Sequence, residues 1–573
     1  MLAALFSVPA VALAVPADDL TITLRPVAAI DGQIVSLQVS EHFSNLNASD
    51  GDALFRLPLI VSNVDSVATI LSGVVATDAL GPVALTTRDI DLPVSHAGDA
   101  ESGGPSREWL AARAVSGPVV LRYTVPANAV LPPRGPAPPF SFSDDGKAVS
   151  AAGQLFLLLP PGDRTYRLQL KWDLGGAPAG TRAVSSFGAG NAAPTAPISG
   201  GDLREAFYMA GPIQVWPANM KSNFLVAAQG KPAFDVGELA AWAQALHTRY
   251  SRFFGQDQIP AYVVFLRYNP VNAGGGVGLK NSFVLTFGKG NGADMTRLKL
   301  TLAHEMFHTF QPYITEPAGL ASSWFGEGLA SLYEARLPLR FGQISPEQFL
   351  GRINRAASRY YTSVMATVPN AQVPLRFWAD TRIRTLPYDR GMLYFATIDD
   401  AIRKKTGGQR SIDDLLLAMK ARQQAVGKTS NADWESLLEK ELGASAITGF
   451  REFLEGAMPV PETDAFGPCF RRTTARLRRY ETGFEPQVLA EPRRIVRGVV
   501  GGSNAYRAGL RDGDEIVDPV PQDGIQGDQD LELTLKLRRG EQVFEISYLP
   551  RGEAVEAYQW ERISGVPDSD CAL

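Results

Sequence analysis

The segment His304-Glu305-Met306-Phe307-His308 sets two imidazoles four residues apart, with a carboxylate beside the first. On a helix, positions i and i+4 share a face, so both rings can reach one ion. Zinc accepts imidazole nitrogen and carboxylate oxygen, and a catalytic zinc site keeps one of its four positions open for water. A third ligand follows the second histidine with eighteen residues between them: Glu327, within Trp324-Phe325-Gly326-Glu327-Gly328. Glu305 cannot easily ligate the ion held by its flanking histidines. It is placed instead to take a proton from an activated water and pass it to a leaving group. The expectation is one Zn2+ held by His304, His308 and Glu327, with Glu305 as general base.

These side chains need two helices to hold them. Residues 295–311 read as one, ended by Pro312, and 322–338 as a second, started by the serine pair and stopped by Pro338. A single short connection lets them pack antiparallel, which brings Glu327 to the histidine face. Glu334 lies seven residues further along that face. It either orients a ligand histidine or is an exposed helix carboxylate, and the sequence leaves both open. Upstream, Asp235 caps an amphipathic helix, and apolar strands flank a glycine-rich turn at 274–278. Gly275, Gly276 and Gly278 sit on a strand edge whose backbone could pair with an extended substrate. His42, His96 and His247 read as ordinary surface or core histidines.

The whole chain is too long, at 573 residues, for one core. Its 45% hydrophobic and 20% charged content is that of a globular protein, and its net charge of −5 argues against a nucleic-acid binder. Arg471, Arg472, Arg476, Arg478 and Arg479 read as a solvated face. Residues 1–14 are apolar and end in Ala12-Leu13-Ala14, the pattern of a cleaved signal peptide, so export to the periplasm or medium is expected. No further stretch is long and apolar enough to be a transmembrane anchor. Cys469 and Cys571 could close a bridge or stay as thiols. From residue 19 to about 217, short β-rich runs broken by Gly, Pro and Asn predict an antiparallel sandwich or saddle.

His-Glu-x-x-His followed at that distance by Glu in W-F-G-E-G-L-A-S-L-Y-E resembles the gluzincin metallopeptidases, especially the aminopeptidase N branch. PYDRG (387–391) looks like their tyrosine-bearing element, and residues 396–416 together with a C-terminal PDZ-like segment are similar to the glycyl aminopeptidase family. The resemblance implies a thermolysin-like, mainly helical catalytic domain acting on peptides, with a preference for small N-terminal residues. It makes Tyr388 the donor to the oxyanion, with Tyr394 as the alternative. The relatives' glycine-rich element carries a glutamate for the substrate's α-amino group. Here Lys280 or Asn281 stands at that position, and a lysine repels an ammonium, which favours an endopeptidase or oligopeptidase. Residues 493–517 carry the A-G-L-x-x-G-D-x-I pattern of a bacterial PDZ core, which either binds a peptide ligand or packs on the enzyme. A non-catalytic, PDZ-centred binding protein is the third reading. The expected architecture is multidomain α+β: signal peptide 1–14, β-rich domain 15–230, catalytic domain 231–458 and PDZ-like domain 459–573.

Overall fold

A computed structural model describes residues 17–92, 104–127, 137–144, 147–162, 164–256, 258–269, 273–288, 294–317, 319–520 and 522–573. The expected leader at 1–14 and His96 lie outside the described residues. The chain is a multidomain α+β protein, with β-sheets first, a helical region in the middle and β-sheets last.

The N-terminal part is built on a seven-stranded sheet. Alternation buries Leu20, Ile22 and Leu24 on one face of the strand Asp18–Ala28. That strand pairs antiparallel with Ile34–Ala48 but parallel with Thr165–Trp172, so the expected all-antiparallel sheet is in fact mixed. Alternation reports which face a strand buries and says nothing of the direction of a neighbour so far along the chain.

Within this core Glu41 is fully buried. Its carboxyl lies 2.7 Å from the Tyr123 hydroxyl, which is 3.0 Å from the Phe156 carbonyl. A protonated Glu41 can donate to Tyr123 while Tyr123 donates to Phe156, and burial pushes the Glu41 carboxyl up to about 8 from 4.5. Between those values the folded state holds a proton that the unfolded chain has released, so this contribution to stability is present below about pH 4.5 and is lost as the pH rises to 8. Glu41→Gln should flatten the fall in urea midpoint between pH 5 and pH 8 by an amount worth a few kcal/mol, because each tenfold change in proton affinity is worth about 1.4 kcal/mol. An unchanged fall in the variant would refute the assignment.

The sheet that carries the site has five strands, in the order Gln214–Trp216, Phe224–Gln229, Tyr262–Tyr268, Ser282–Phe287, Gly276–Leu279. The three central strands are parallel and buried along nearly their whole length, as their unbroken apolar runs require. Since Phe224–Gln229 pairs directly with Tyr262–Tyr268, the boundary expected at residue 230 falls inside a sheet. Asp235 caps the helix Val236–Phe253 as expected, accepting from the N–H groups of Gly237 and Glu238.

Five helices surround the site: Val236–Phe253, Met295–His308, Ser323–Arg340, Pro346–Tyr361 and Leu386–Thr406. Two ends differ from the expected ones. The first histidine-bearing helix stops at His308, and Thr309 to Gln311 turn away from it. Ser323–Arg340 runs past Pro338, which sits in the last turn, where the missing N–H costs one bond at the frayed end. Ser322 does not cap this helix with its side chain; its hydroxyl bonds the Pro317 carbonyl.

The C-terminal part holds a two-stranded ladder, Phe470–Tyr480 with Arg551–Arg562, and a four-stranded sheet. Cys469 and Cys571 form a disulfide across 102 residues, a loop closure worth about 4–5 kcal/mol in the chain-entropy model. Arg471 faces solvent and pairs with Glu561 across the ladder. Among the described residues no helix is long and apolar enough to cross a membrane.

Candidate active site

The helix Met295–His308 starts on Asp294, whose carboxylate accepts from the N–H groups of Thr296 and Arg297. It buries Leu298, Leu302, Ala303, Met306 and Phe307 in the core and turns Thr301, Glu305 and His308 toward a cleft of about 2030 Å³. Ser323–Arg340 packs against it and delivers Glu327. His304 Nε2 lies 3.1 Å from Glu327 Oε2 and 3.2 Å from His308 Nε2, and His308 Nε2 is 3.3 Å from the same Glu327 oxygen. Ligands placed 2.0–2.1 Å from a tetrahedral ion are about 3.3–3.4 Å apart, so the triangle fits one zinc-sized cation.

The distal ring nitrogens show which ring atoms point inward. His304 Nδ1 is 2.7 Å from Glu334 Oε2, and the other oxygen of Glu334 accepts from Arg352. Glu334 thus accepts the Nδ1 proton and turns Nε2 toward Glu327 and His308, and it is buried rather than exposed on its helix. His308 Nδ1 lies 2.7 Å from the side-chain amide of Gln311, whose oxygen is otherwise buried without a partner. With the amide turned over, that oxygen accepts from Nδ1 and His308 Nε2 is bare. Burial disfavours a charge on His304, but Glu327 and Glu334 outweigh it and push the ring up to about 10, so in the neutral range the ring holds a second proton, on Nε2, whose place a cation would take. Glu327 is held well below the usual carboxylate range: its burial opposes this, and His308 and His304 overcome it. The point on which the three atoms converge thus favours positive charge.

Glu305 lies beside this triangle. Burial, joined by the charge of Glu327, raises its carboxyl above the ordinary range against the pull of the histidines. Its Oε2 accepts from the N–H of Gly278, 2.8 Å away, on the edge strand Gly276–Leu279. A Cβ at Gly276 would lie 2.3 Å from the Phe283 ring and 3.1 Å from Glu305 Cγ, so only glycine lets the strand come this close. Gly275, Gly276, Gly278, Lys280 and Asn281 all line the cleft. Lys280 forms an ion pair of 2.8 Å with Asp202, which neutralises it at the cleft rim.

Tyr388 reaches the same point from Leu386–Thr406, its ring stacked on His304 at a centroid distance of 5.7 Å. Its hydroxyl makes no hydrogen bond with a described residue and faces the cleft. Burial and the charges of Glu327 and Glu305 keep it protonated, so it has a hydrogen to donate in the neutral range. Tyr394, the alternative, is packed in the core and accepts from Trp434 at 3.1 Å. Two glycines set the position of Tyr388. The helices bearing Glu327 and Tyr388 cross at Gly328 and Gly391, where an added Cβ on Gly391 would fall 2.6 Å from the Trp324 carbonyl and 2.7 Å from Gly328 Cα. Gly391→Ala should cost about 1–3 kcal/mol by overpacking and, by shifting Tyr388 a fraction of an ångström or more, lower turnover by roughly 10²-fold at most. Thermal melting and a rate assay on the one variant check both; full stability with full activity would contradict the crossing.

Gln311, Arg352 and the Gly328–Gly391 crossing are not among the residues the sequence singles out. Their signals are slight: an amide three residues past His308, and single glycines within two helical patterns.

No protein-family model matches the chain, and no curated protein matches it. Among solved structures it is similar to an aminopeptidase N family protein from Idiomarina loihiensis, at 14% identity over 95% of this chain and 98% of that one, with a TM-score of 0.63. It also aligns with an M1 zinc metallopeptidase mutant from Deinococcus radiodurans bound to a Tyr-Ser-Ala substrate, at 18% identity over 78% and 95% of the two chains, TM-score 0.45. The first likeness establishes a shared fold across nearly the whole length of both chains.

Proposed function

We propose that this chain is a zinc-dependent peptidase that removes small residues from the N-termini of peptides. The observation that carries the reading is the convergence of His304, His308 and Glu327 on one point, with the Glu305 carboxylate and the open Tyr388 hydroxyl in the same cleft. Zinc bound there would acidify a water and polarise the scissile carbonyl. Glu305 takes the proton from the attacking water and hands it to the departing amine, a task for which its raised affinity for protons suits it. Tyr388 donates its hydroxyl hydrogen to the oxyanion as the carbonyl becomes tetrahedral. The glycine edge strand offers its backbone for an extended substrate to lie along.

The N-terminal preference draws on two features. Lys280, which would repel an ammonium, is tied to Asp202, and the Glu205 carboxylate lines the same end of the cleft. The preference for small side chains rests on the likeness of residues 387–416 to the glycyl aminopeptidases. The apolar segment 1–14 and the disulfide, a bond that persists in oxidising compartments, support export to the periplasm or medium. The exposed flank of Lys280 favours endopeptidase action as the second reading.

Incubating the zinc-loaded chain with paired free and N-acetylated peptides, and reading products by mass spectrometry, separates these. Loss of single N-terminal residues from the free set alone supports the aminopeptidase; internal cuts in both sets support the endopeptidase. Cleavage of neither refutes both. In the active form, Tyr388→Phe should lower kcat by about 10²–10³-fold with KM little changed, since one oxyanion donor is lost. An unchanged kcat would remove Tyr388 from the reaction.

A further inference from the structure

The end of the cleft away from Lys280 is walled by arginines. Arg297, Arg352, Arg355, Arg359 and Arg384 all line it. Four of them have carboxylate partners: Arg297 with Asp528 at 3.4 Å, Arg352 with Glu334, Arg359 with Asp389 at 2.6 Å and Arg384 with Asp523 at 2.5 Å. Arg355 has none: among the described residues its guanidinium makes no hydrogen bond and no ion pair. It is partly buried, its stem pressed against Gly527 so closely that a Cβ there would lie 2.9 Å from Arg355 Cγ. Burial and the neighbouring charges of Arg297 and Arg352 lower it to about 10 against the weaker pull of Asp528, so it stays cationic at neutral pH with no carboxylate at hydrogen-bonding distance. A half-buried, unpaired guanidinium is costly unless an anion meets it.

Resting on the peptidase reading above, we infer that Arg355 is the acceptor for a carboxylate on the leaving side of the scissile bond, which makes short peptides with a free C-terminus the preferred substrates. The path of the cleft supports this. Thr301 of the histidine helix bonds the Gly274 carbonyl and Glu305 bonds Gly278, so the edge strand runs in the same sense as that helix. A substrate paired antiparallel to the strand points its N-terminus toward Lys280 and Glu205 and its C-terminus toward Arg297 and Arg355. The acidic and basic ends of the cleft then match the charges of a short zwitterionic peptide.

The span fixes the length. Arg297 lies seven residues before His304 on one helix, a rise of about 10 Å. Arg352, which bonds the Glu334 that orients His304, precedes Arg355 by one turn. An extended peptide covers about 3.3 Å per residue, so the carboxylate falls roughly two to three residues beyond the cut. The segment 522–534 of the C-terminal part lines this end of the cleft, with Gly527 against Arg355 and with Asp523 and Asp528 paired to Arg384 and Arg297. A chain longer than this meets that segment.

The probe is Gly-Ala-Ala as the free acid and as its C-terminal amide. Binding is measured calorimetrically on the full-length, zinc-loaded chain silenced by Glu305→Gln. The free acid should bind about ten- to hundredfold tighter, the range for a charge-assisted hydrogen-bonded pair, and the margin should shrink in high salt. Adding Arg355→Gln should bring the margin within about threefold, and Arg355→Lys should leave an intermediate one, since lysine keeps the charge but not the fork. Amidated peptides with Glu at the second or third position distinguish a side-chain carboxylate from the terminal one: recovery of tight binding would assign the site to acidic side chains. Equal binding of acid and amide overturns the inference, as does a margin that survives Arg355→Gln. If Arg355→Gln does not fold, as judged by zinc content and melting, the lysine variant and the salt dependence decide. Failure of the wild-type chain to cleave any peptide would sink the peptidase reading alone, because this comparison needs no turnover.

Discussion

Glu305→Gln should lower kcat/KM by about 10⁴-fold while zinc remains bound at one ion per chain. A general base at this position contributes about 10²–10⁴-fold, and a site whose other described carboxylates are already engaged belongs at the upper end. The other carboxylates around the triangle are committed. Glu327 offers its oxygen at 3.1 and 3.3 Å to the two histidines, and Glu334 bonds His304 and Arg352. Neither can turn to serve the water. Gln is close in shape, but where Glu305 accepts from the Gly278 N–H the amide keeps that bond only with its oxygen turned inward. The fold and the metal triangle should persist, which metal analysis and circular dichroism would show. Retention of more than about a tenth of wild-type activity would mean that another group moves the proton, and the roles assigned to Glu305 and Glu327 would need to be exchanged or abandoned.

How far the sequence leads to this site depends on how local each relation is. His304, Glu305 and His308 are legible because helical spacing alone puts them together. Glu327 needs one more step, a second helix across a short connection. Glu334 is ambiguous in the sequence because its value depends on Arg352, which comes from a third helix. Tyr388 has no local mark that sets it apart from Tyr394; only a likeness to known enzymes singles it out, and the structure separates the two by placing one hydroxyl on the cleft and the other against Trp434. The parallel pairing of Asp18–Ala28 with Thr165–Trp172, and the reach of the catalytic sheet back to Gln214, are illegible because no short-range pattern encodes a partner so distant in sequence. Arg355 is hidden for a different reason. Its helix shows Arg352, Arg355 and Arg359 at i, i+3 and i+7, the ordinary look of a solvated face, and only the pairing of its neighbours sets one of the three apart.

Removing the metal should both abolish peptide cleavage and lower the melting temperature by on the order of 10 °C, with zinc restoring both. The activity follows from the chemistry assigned to the ion. The stability follows from linkage: a ligand at about a thousand times its dissociation constant, bound only by the folded state, contributes about 4 kcal/mol. For a cooperative unit of some 150–250 residues, each kcal/mol moves the midpoint by about 2–4 °C. The effect is concentrated on the helical part, because the ligands tie Met295–His308 to Ser323–Arg340 and, through Glu334 and Arg352, to Pro346–Tyr361. Glu334→Gln provides the graded control. It leaves all three ligands in place but loses the strong acceptor that fixes the His304 ring, so zinc affinity should weaken about 10–100-fold rather than vanish. A titration with a competing chelator measures that. If chelation left the melting curve unmoved while activity disappeared, the three helices would already be locked by packing, and the ion would serve chemistry alone. If Glu334→Gln bound zinc as tightly as the wild type, the 2.7 Å contact with His304 would be incidental, and the tautomer would have to be set by the ion itself.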